Sequence, residues 1–115
     1  MTHRQKLGKA AEEHAEALLR RHGLKTLTRN YRCRGGEIDL IMRDGEHLVF
    51  IEVRYRRHQA FGGALSSIDG AKQRRLFVAA QHYLMNTRWQ GPCRFDAVGF
   101  DEGREPQWVR DAFTL

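Results

Sequence analysis

Four side chains able to do chemistry sit close together in the most β-prone part of the sequence. Glu37 and Asp39 lie in "GGEIDLIMRDG", and Glu52 and Arg54 lie in "HLVFIEVRYRR". Charges among apolar strand residues are costly to bury unless they are paired or bind a metal. Clustered carboxylates also repel one another until a proton or a cation relieves them. Carboxylates meeting on one face of a sheet suit a hard divalent ion, Mg²⁺ or Mn²⁺, which keeps part of its water shell. Such an ion can activate water and stabilise charge on a phosphate. An arginine beside it would bind a phosphate oxygen or offset developing negative charge. The same charges would also suit the wet face of an antiparallel sheet laced with salt bridges.

Whether these groups meet depends on the hairpin that carries them. Side chains alternate along a strand, so parity decides faces. With Asp44-Gly45 as a two-residue loop, Arg43 lies opposite Glu46, Asp39 faces Phe50 and Glu37 faces Glu52. All four polar residues then share one side of the sheet. Asp39 and Glu52 become diagonal neighbours, roughly 7–8 Å apart at the backbone. A three-residue loop would shift the register by one and separate them.

The surrounding elements read as follows. Residues 3–22 form a helix with an apolar stripe of Leu7, Ala11, Ala15, Leu18 and His22; Glu12, Glu13 and Glu16 lie beside or opposite it. Gly23 is its stop. "LKTLTRNYRC" is a strand, "RGG" a turn, and the hairpin completes an antiparallel meander. Residues 58–67 form a loop. A second helix runs from about Ile68 to Asn86, with Ser67 or Asp69 as its cap and Leu76, Ala79, Ala80, Tyr83 and Leu84 as its core stripe. "PCRFDAVGF" and "WVRDAF" are strands. The order α-β-β-β-α-β-β implies an α/β sandwich with helices framing a sheet. Whether the strand after the second helix pairs in parallel is left open.

Further contacts follow from this frame. Lys72 and Gln73 fall in the first turn of the second helix, where free N–H groups and the helix dipole favour a phosphate; a plain solvated turn fits equally well. Arg74 and Arg75 continue that basic edge. Arg56 and Arg57, in "RYRRH", would contact phosphates without reading sequence. Tyr55, on the opposite face, belongs in the core. Asp96 in "RFDAV" is either a structural ion-pair member or a further acid near the site. Trp89 and Trp108 read as packing residues or interface anchors.

Composition frames the partner. The chain has 115 residues, 20 Lys+Arg against 14 Asp+Glu, and a net charge of +6. One domain over residues 1–115 is expected, with a basic balance that suits nucleic acid. No run approaches the ~20 apolar residues that span a bilayer, and the N-terminus lacks a signal core, so a cytoplasmic protein is expected. Cys33 and Cys93 form no CxxC pair and are read as reduced. The six histidines are too scattered for a zinc site.

Asp39 followed by "IEVR" at 51–54 resembles the bipartite motif of the PD-(D/E)xK nuclease superfamily. "LGKAAEEHA", "GEIDLIMRDGEHLVFIEVRYRR", "IDGAKQRRL" and "RFDAVGF" occur in the order found in the YraN family of small bacterial endonuclease-like proteins, and together resemble it over nearly the whole chain. The resemblance implies a restriction-endonuclease-like (Holliday junction resolvase-like) αβββαβ core with a mixed central sheet. It implies Asp39 and Glu52 as principal ligands of Mg²⁺ or Mn²⁺. Glu12 becomes a supporting ligand or water-orienting group, Glu37 a residue behind the ligands or paired with an arginine, and Gln73 a neighbour of the site. The implied activity is metal-dependent cleavage of DNA, branched DNA included, by a protein that could act as a homodimer. Arg54 is the departure: the superfamily places a lysine there, and arginine effectively never gives up its proton. A catalytically inactive nucleic-acid-binding or protein-interaction module on the same fold is the alternative.

Overall fold

The computed structural model describes residues 1–56 and 63–114; Arg57 and the first part of the expected loop lie outside them. Helix α1 spans His3–Arg21. Thr2 caps it through a reciprocal box: its hydroxyl accepts the Gln5 N–H at 3.1 Å, and the Gln5 side-chain oxygen accepts the Thr2 N–H at 2.9 Å. The helix stops where Gly23 adopts φ 94°, which only glycine takes freely. The N–H groups of Gly23 and Leu24 there return to the carbonyls of Arg20 and Leu19.

The buried face of α1 is Ala11, Ala15, Glu16 and Leu19. This is rotated from the expected stripe, since His22 is exposed and Leu18 only partly covered. A buried glutamate is tolerated because Thr26 and Arg29 bind its carboxylate at 2.6 and 2.9 Å. The Arg29 hydrogen bond holds the Glu16 carboxyl below its ordinary range against the opposing effect of burial.

Five strands follow: β1 Lys25–Cys33, β2 Gly36–Asp44, β3 His47–Arg56, β4 Cys93–Asp101 and β5 Gln107–Phe113. They form one sheet in the order β1-β2-β3-β4-β5. Only β3 and β4 run parallel. A parallel pair needs a long crossover, supplied here by a 3-10 turn at Leu65–Ser67 and helix α2 at Gly70–Thr87. Alternate strand residues feed two cores. Leu40, Met42, Val49 and Ile51 pack with α1, while Ile41, Leu48, Phe50 and Phe95 pack with Leu76, Ala79 and Ala80 of α2. The sheet thus lies between the helices. The αβββαβ order with a mixed sheet is compatible with a restriction-endonuclease-like core, with β5 added at the edge. Neither helix, among the described residues, is long and apolar enough to cross a membrane.

The hairpin register differs from expectation. Asp44 pairs with His47, so the loop is Gly45-Glu46 rather than Asp44-Gly45. Gly45 takes φ 60° at the first loop position, the requirement of a type II′ hairpin. Each pairing therefore moves by two residues, which preserves faces but changes neighbours. Leu40 pairs with Ile51 as the last rung of this ladder, and Asp39 and Glu52 are the next residue on each strand. The expected diagonal spacing of the two acids and the expected Glu37–Glu52 pairing both belong to the other register.

Helix α2 rests directly on the start of β2. A Cβ on Gly36 would stand 2.5 Å from the Arg75 carbonyl oxygen and 2.7 Å from the Ala79 nitrogen. Both are helix backbone and cannot rotate aside. Gly36→Ala is expected to destabilise the protein by about 2 kcal/mol through overpacking. Urea unfolding would measure this, and a midpoint equal to the parent's would refute the close approach.

Candidate functional site

The site forms where the β2–β3 ladder gives out. Regular pairing ends at Leu40–Ile51, and β2 turns over there: Ile38 packs on the α2 side although Leu40 packs on the α1 side. The next N–H on β3, that of Val53, donates instead to Asp39 Oδ2 at 2.8 Å. The Asp39 side chain thus takes over from the backbone and splays the strands. Glu52 is left at the bottom of the opening, 2% exposed.

A cleft of about 690 Å³ stands over these two acids. The first half of α1 forms one wall, through Arg4, Gly8, Ala11 and Glu12; β3 forms the floor and rim, through Glu52, Arg54 and Arg56; α2 closes it with Lys72. Arg4, Gly8, Ala11 and Glu12 follow the one-face spacing of a helix, so the contribution of Arg4 was available from periodicity but depends on knowing which face meets the sheet.

The electrostatics are those of acids desolvated by burial. Burial, then the Asp39 charge, push the Glu52 carboxyl up to about 8, with Lys72 and Arg54 opposing. Burial raises Asp39 as well, against the pull of the Val53 N–H. Glu12 is pushed up to about 7, by burial first and Asp39 second. Among the described residues, Glu52 Oε2 is buried with no hydrogen-bond partner. Arg54 Nε lies 3.6 Å from Glu52 Oε1, an ion pair too long for a hydrogen bond, and it too lacks a hydrogen-bond partner.

Residues 11–100 match the model of the uncharacterised protein family UPF0102. The chain belongs to this family. It is 56% identical to a UPF0102 protein of Nitrosospira multiformis over 110 residues, covering 94% of this chain and 92% of that protein. A UPF0102 protein of Pseudomonas entomophila is 53% identical over 112 residues, with 92% and 91% covered. One from Janthinobacterium is 50% identical over 111 residues, with 96% and 89% covered. UPF0102 is the family that the four sequence blocks resemble.

In this UPF0102 protein, the residues singled out from sequence separate into three groups. Asp39, Glu52, Arg54, Glu12, Arg56 and Lys72 all line the one cleft. Glu12 faces it without completing a cluster: among the described residues, no three His, Cys, Asp or Glu side chains converge enough to hold an ion together. Tyr55 is partly buried against the α1-side core, as expected, and also borders the cleft.

A second group is turned to other work. Gln73 Nε2 donates back to the Ile68 carbonyl at 3.2 Å, and Gln73 does not border the cleft. The first turn of α2 is not left for a phosphate either, because the Asp69 carboxylate caps it, accepting the Lys72 N–H at 2.9 Å. Arg74 is exposed outside the cleft. Arg75 binds Glu37 Oε1 at 3.1 Å. Asp96 is structural: fully buried, it accepts from Arg94, from Trp108 Nε1 and from the Asp111 N–H, each at 3.0 Å. Trp108 is therefore a packing residue with Arg110 stacked 3.7 Å above it. Arg57 lies outside the described residues.

Glu37 makes up the third. It is held by Lys72 at 3.0 Å and Arg75 at 3.1 Å, with Arg32 at 3.9 Å. The Lys72 hydrogen bond is the main reason its carboxyl stays below the ordinary range. It braces cations and is spoken for.

Proposed function

We propose that this UPF0102 protein is a divalent-metal-dependent endonuclease-like protein that acts on DNA in the cytoplasm. The observation that carries this is the pair Asp39 and Glu52, just past the last rung of the β2–β3 ladder, under a cleft rimmed by Arg4, Arg54, Arg56 and Lys72. The pair fits Mg²⁺ or Mn²⁺. Glu52 Oε2 is a buried oxygen without a hydrogen-bond partner among the described residues, and burial makes both carboxyls take up protons more readily than usual, even with Lys72 and Arg54 opposing. Mg²⁺ is commonly held by one or two carboxylates, with water and substrate phosphate completing the shell, so a third protein ligand is not required.

When bound, the ion would supply a water of lowered pKa and neutralise phosphate charge. The remaining work falls to the chain's own residues. Arg54 and Arg56 bind the phosphodiester and orient it over Asp39 and Glu52. Glu12, on the facing wall, is placed to orient the attacking water. In hydrolysis the water oxygen bonds to phosphorus as the bond to the departing sugar oxygen breaks. One water proton ends on that oxygen and the other on the new phosphomonoester. A second reading, DNA binding without turnover, draws on Arg54, since an arginine cannot serve as a base.

Duplex, single-stranded and branched DNA incubated with Mg²⁺ or Mn²⁺ tests the proposal. Cleavage is expected in the parent and is expected to vanish in Glu52→Ala and Asp39→Ala. Binding without cleavage on every substrate would establish the second reading. The logarithm of affinity should fall linearly with the logarithm of salt concentration, and Arg56→Ala should shorten that slope by about one. A salt-independent affinity would remove the phosphate contacts.

A further inference from the structure

The cleft holds two cations against Glu52, and they are not equivalent. Arg54 arrives from the same strand, is 32% exposed along its side chain, and has no hydrogen-bond partner for its Nε among the described residues. Lys72 arrives from α2, the helix of the crossover. Its side chain is 13% exposed, with Nζ 3.5 Å from Glu52 Oε1 and 3.0 Å from Glu37 Oε1. It is the one lysine among the described residues that line the cleft.

The placement of Lys72 is built in from both ends. Its backbone is fixed by the Asp69 cap, which binds its own N–H. Its ammonium is fixed by Glu37, itself braced by Arg75 and Arg32. A long, flexible side chain that gives up its rotamer freedom and most of its water needs such a frame. Preorganised positive charge in a site sheltered from water is what stabilises the charge of a transferring phosphoryl group. An ammonium is a compact point charge with three donors, able to keep Glu37 and still donate to a third oxygen.

We propose, building on the endonuclease reading, that Lys72 is the catalytic cation of this site: its ammonium, delivered by α2 and positioned by Glu37, binds a non-bridging oxygen of the scissile phosphodiester beside Glu52. Lys72 lowers the barrier by electrostatic stabilisation alone. Arg54 serves affinity, as a broader and more exposed phosphate contact. The site is thereby assembled from the hairpin and the crossover helix α2, with Glu37 as a positioning residue.

The test compares the parent with Lys72→Met, Lys72→Arg, Glu37→Gln and Arg54→Met. It measures Mn²⁺ affinity by calorimetry without DNA, then kcat and KM for DNA cleavage in Mn²⁺, with thermal melts as a folding control. Lys72→Met is expected to lower kcat roughly 100-fold, the scale of losing one preorganised donor, with KM nearly unchanged. It should also tighten Mn²⁺ binding several-fold, because a positive charge beside Glu52 has been removed. Arg54→Met should raise KM more than it lowers kcat. Glu37→Gln should lower kcat in the parent and have little further effect in Lys72→Met, as expected of residues acting as a unit. Lys72→Arg should recover less than a tenth of the parent kcat. Should Glu37→Gln alone fold well enough to study, its kcat loss at unchanged KM carries the same conclusion. A parent that cleaves DNA with the same kcat after Lys72→Met overturns the role of Lys72 and leaves the endonuclease reading standing. A parent that binds Mn²⁺ and cleaves nothing overturns both.

Discussion

Glu52→Gln, measured at pH 9 without divalent ions, is expected to be more stable than the parent by roughly 2–3 kcal/mol, the full pKa displacement discounted for the solvent of the cleft. The sign follows from the carboxyl's position. Its folded value is raised from 4.5 to about 8. Between these values the folded protein holds a proton that the unfolded chain has lost, so stability is fully present below about 4.5 and declines as pH rises through 8. Glu12, pushed up to about 7, adds to the same decline. Glutamine keeps the shape of the side chain and has no charge to desolvate, so the variant should lack most of that decline. At pH 5 parent and variant should converge.

Mn²⁺ should reverse the ranking. The ion displaces the shared proton from the Asp39–Glu52 pair and stabilises the parent by mass action, whereas Glu52→Gln should show no stabilisation. Denaturant titrations at several pH values, with and without Mn²⁺, read all of this in one set of curves. A parent whose stability is flat from pH 5 to 9 would refute the buried-acid description of the site. A variant still stabilised by Mn²⁺ would remove Glu52 from the ligands.

Asp96→Ala carries the other large effect, at about 3–5 kcal/mol of destabilisation. Asp96 is 0% exposed and satisfies three donors at once: the Arg94 guanidinium, the Trp108 indole and the Asp111 N–H. It sits at the irregularity where β4 and β5 change register between Phe95 and Ala97, so its carboxylate bonds groups that the ladder leaves unmet. Alanine would strand all three donors and leave Arg94 with Asp44 as its remaining partner, at 2.9 Å. Urea unfolding should show the loss. Hydrogen exchange should quicken along β5 before the rest of the sheet, since that edge strand depends on the anchor. A loss under ~1 kcal/mol would mean that the donors find other partners. The effect should appear with no change in Mn²⁺ affinity, which distinguishes this acid from the two in the cleft.

Much of the fold could be read from residue patterns alone. The helix of residues 3–22, the meander and the second helix all appear within two residues of expectation, because their periodicities are strong and Gly23 and Asp69 mark ends with definite chemistry. The hairpin loop was placed one residue early. "DG" is a common turn pair, yet here the glycine is used at the first loop position, and the choice between Asp44-Gly45 and Gly45-Glu46 rests on how both strands pack against the helices. Parity survived the error because both registers put Asp39 and Glu52 on one face.

The side chains fared differently according to how far their partners lie. Asp39, Glu52 and Arg54 were legible because a hairpin ties them together locally. Gln73 was misplaced because a rotamer decides between the cleft and the Ile68 carbonyl. Glu37 was expected to pair with an arginine and does, with Arg75, whereas its Lys72 contact and the role of Glu16 as an ion-pair centre were not legible, since those partners sit on other elements.

Residue types and short-range spacing were enough to specify two acids at the centre of a hairpin, a basic surrounding and the order of elements, because strand alternation and helical periodicity act over a few residues. Tertiary structure alone decided that β4 runs parallel to β3, that Arg4 and Glu12 form the wall of the cleft, and that Lys72 reaches Glu52 from α2. Those outcomes join residues far apart in the chain, and they depend on how two helices seat on a twisted sheet, which no local pattern encodes.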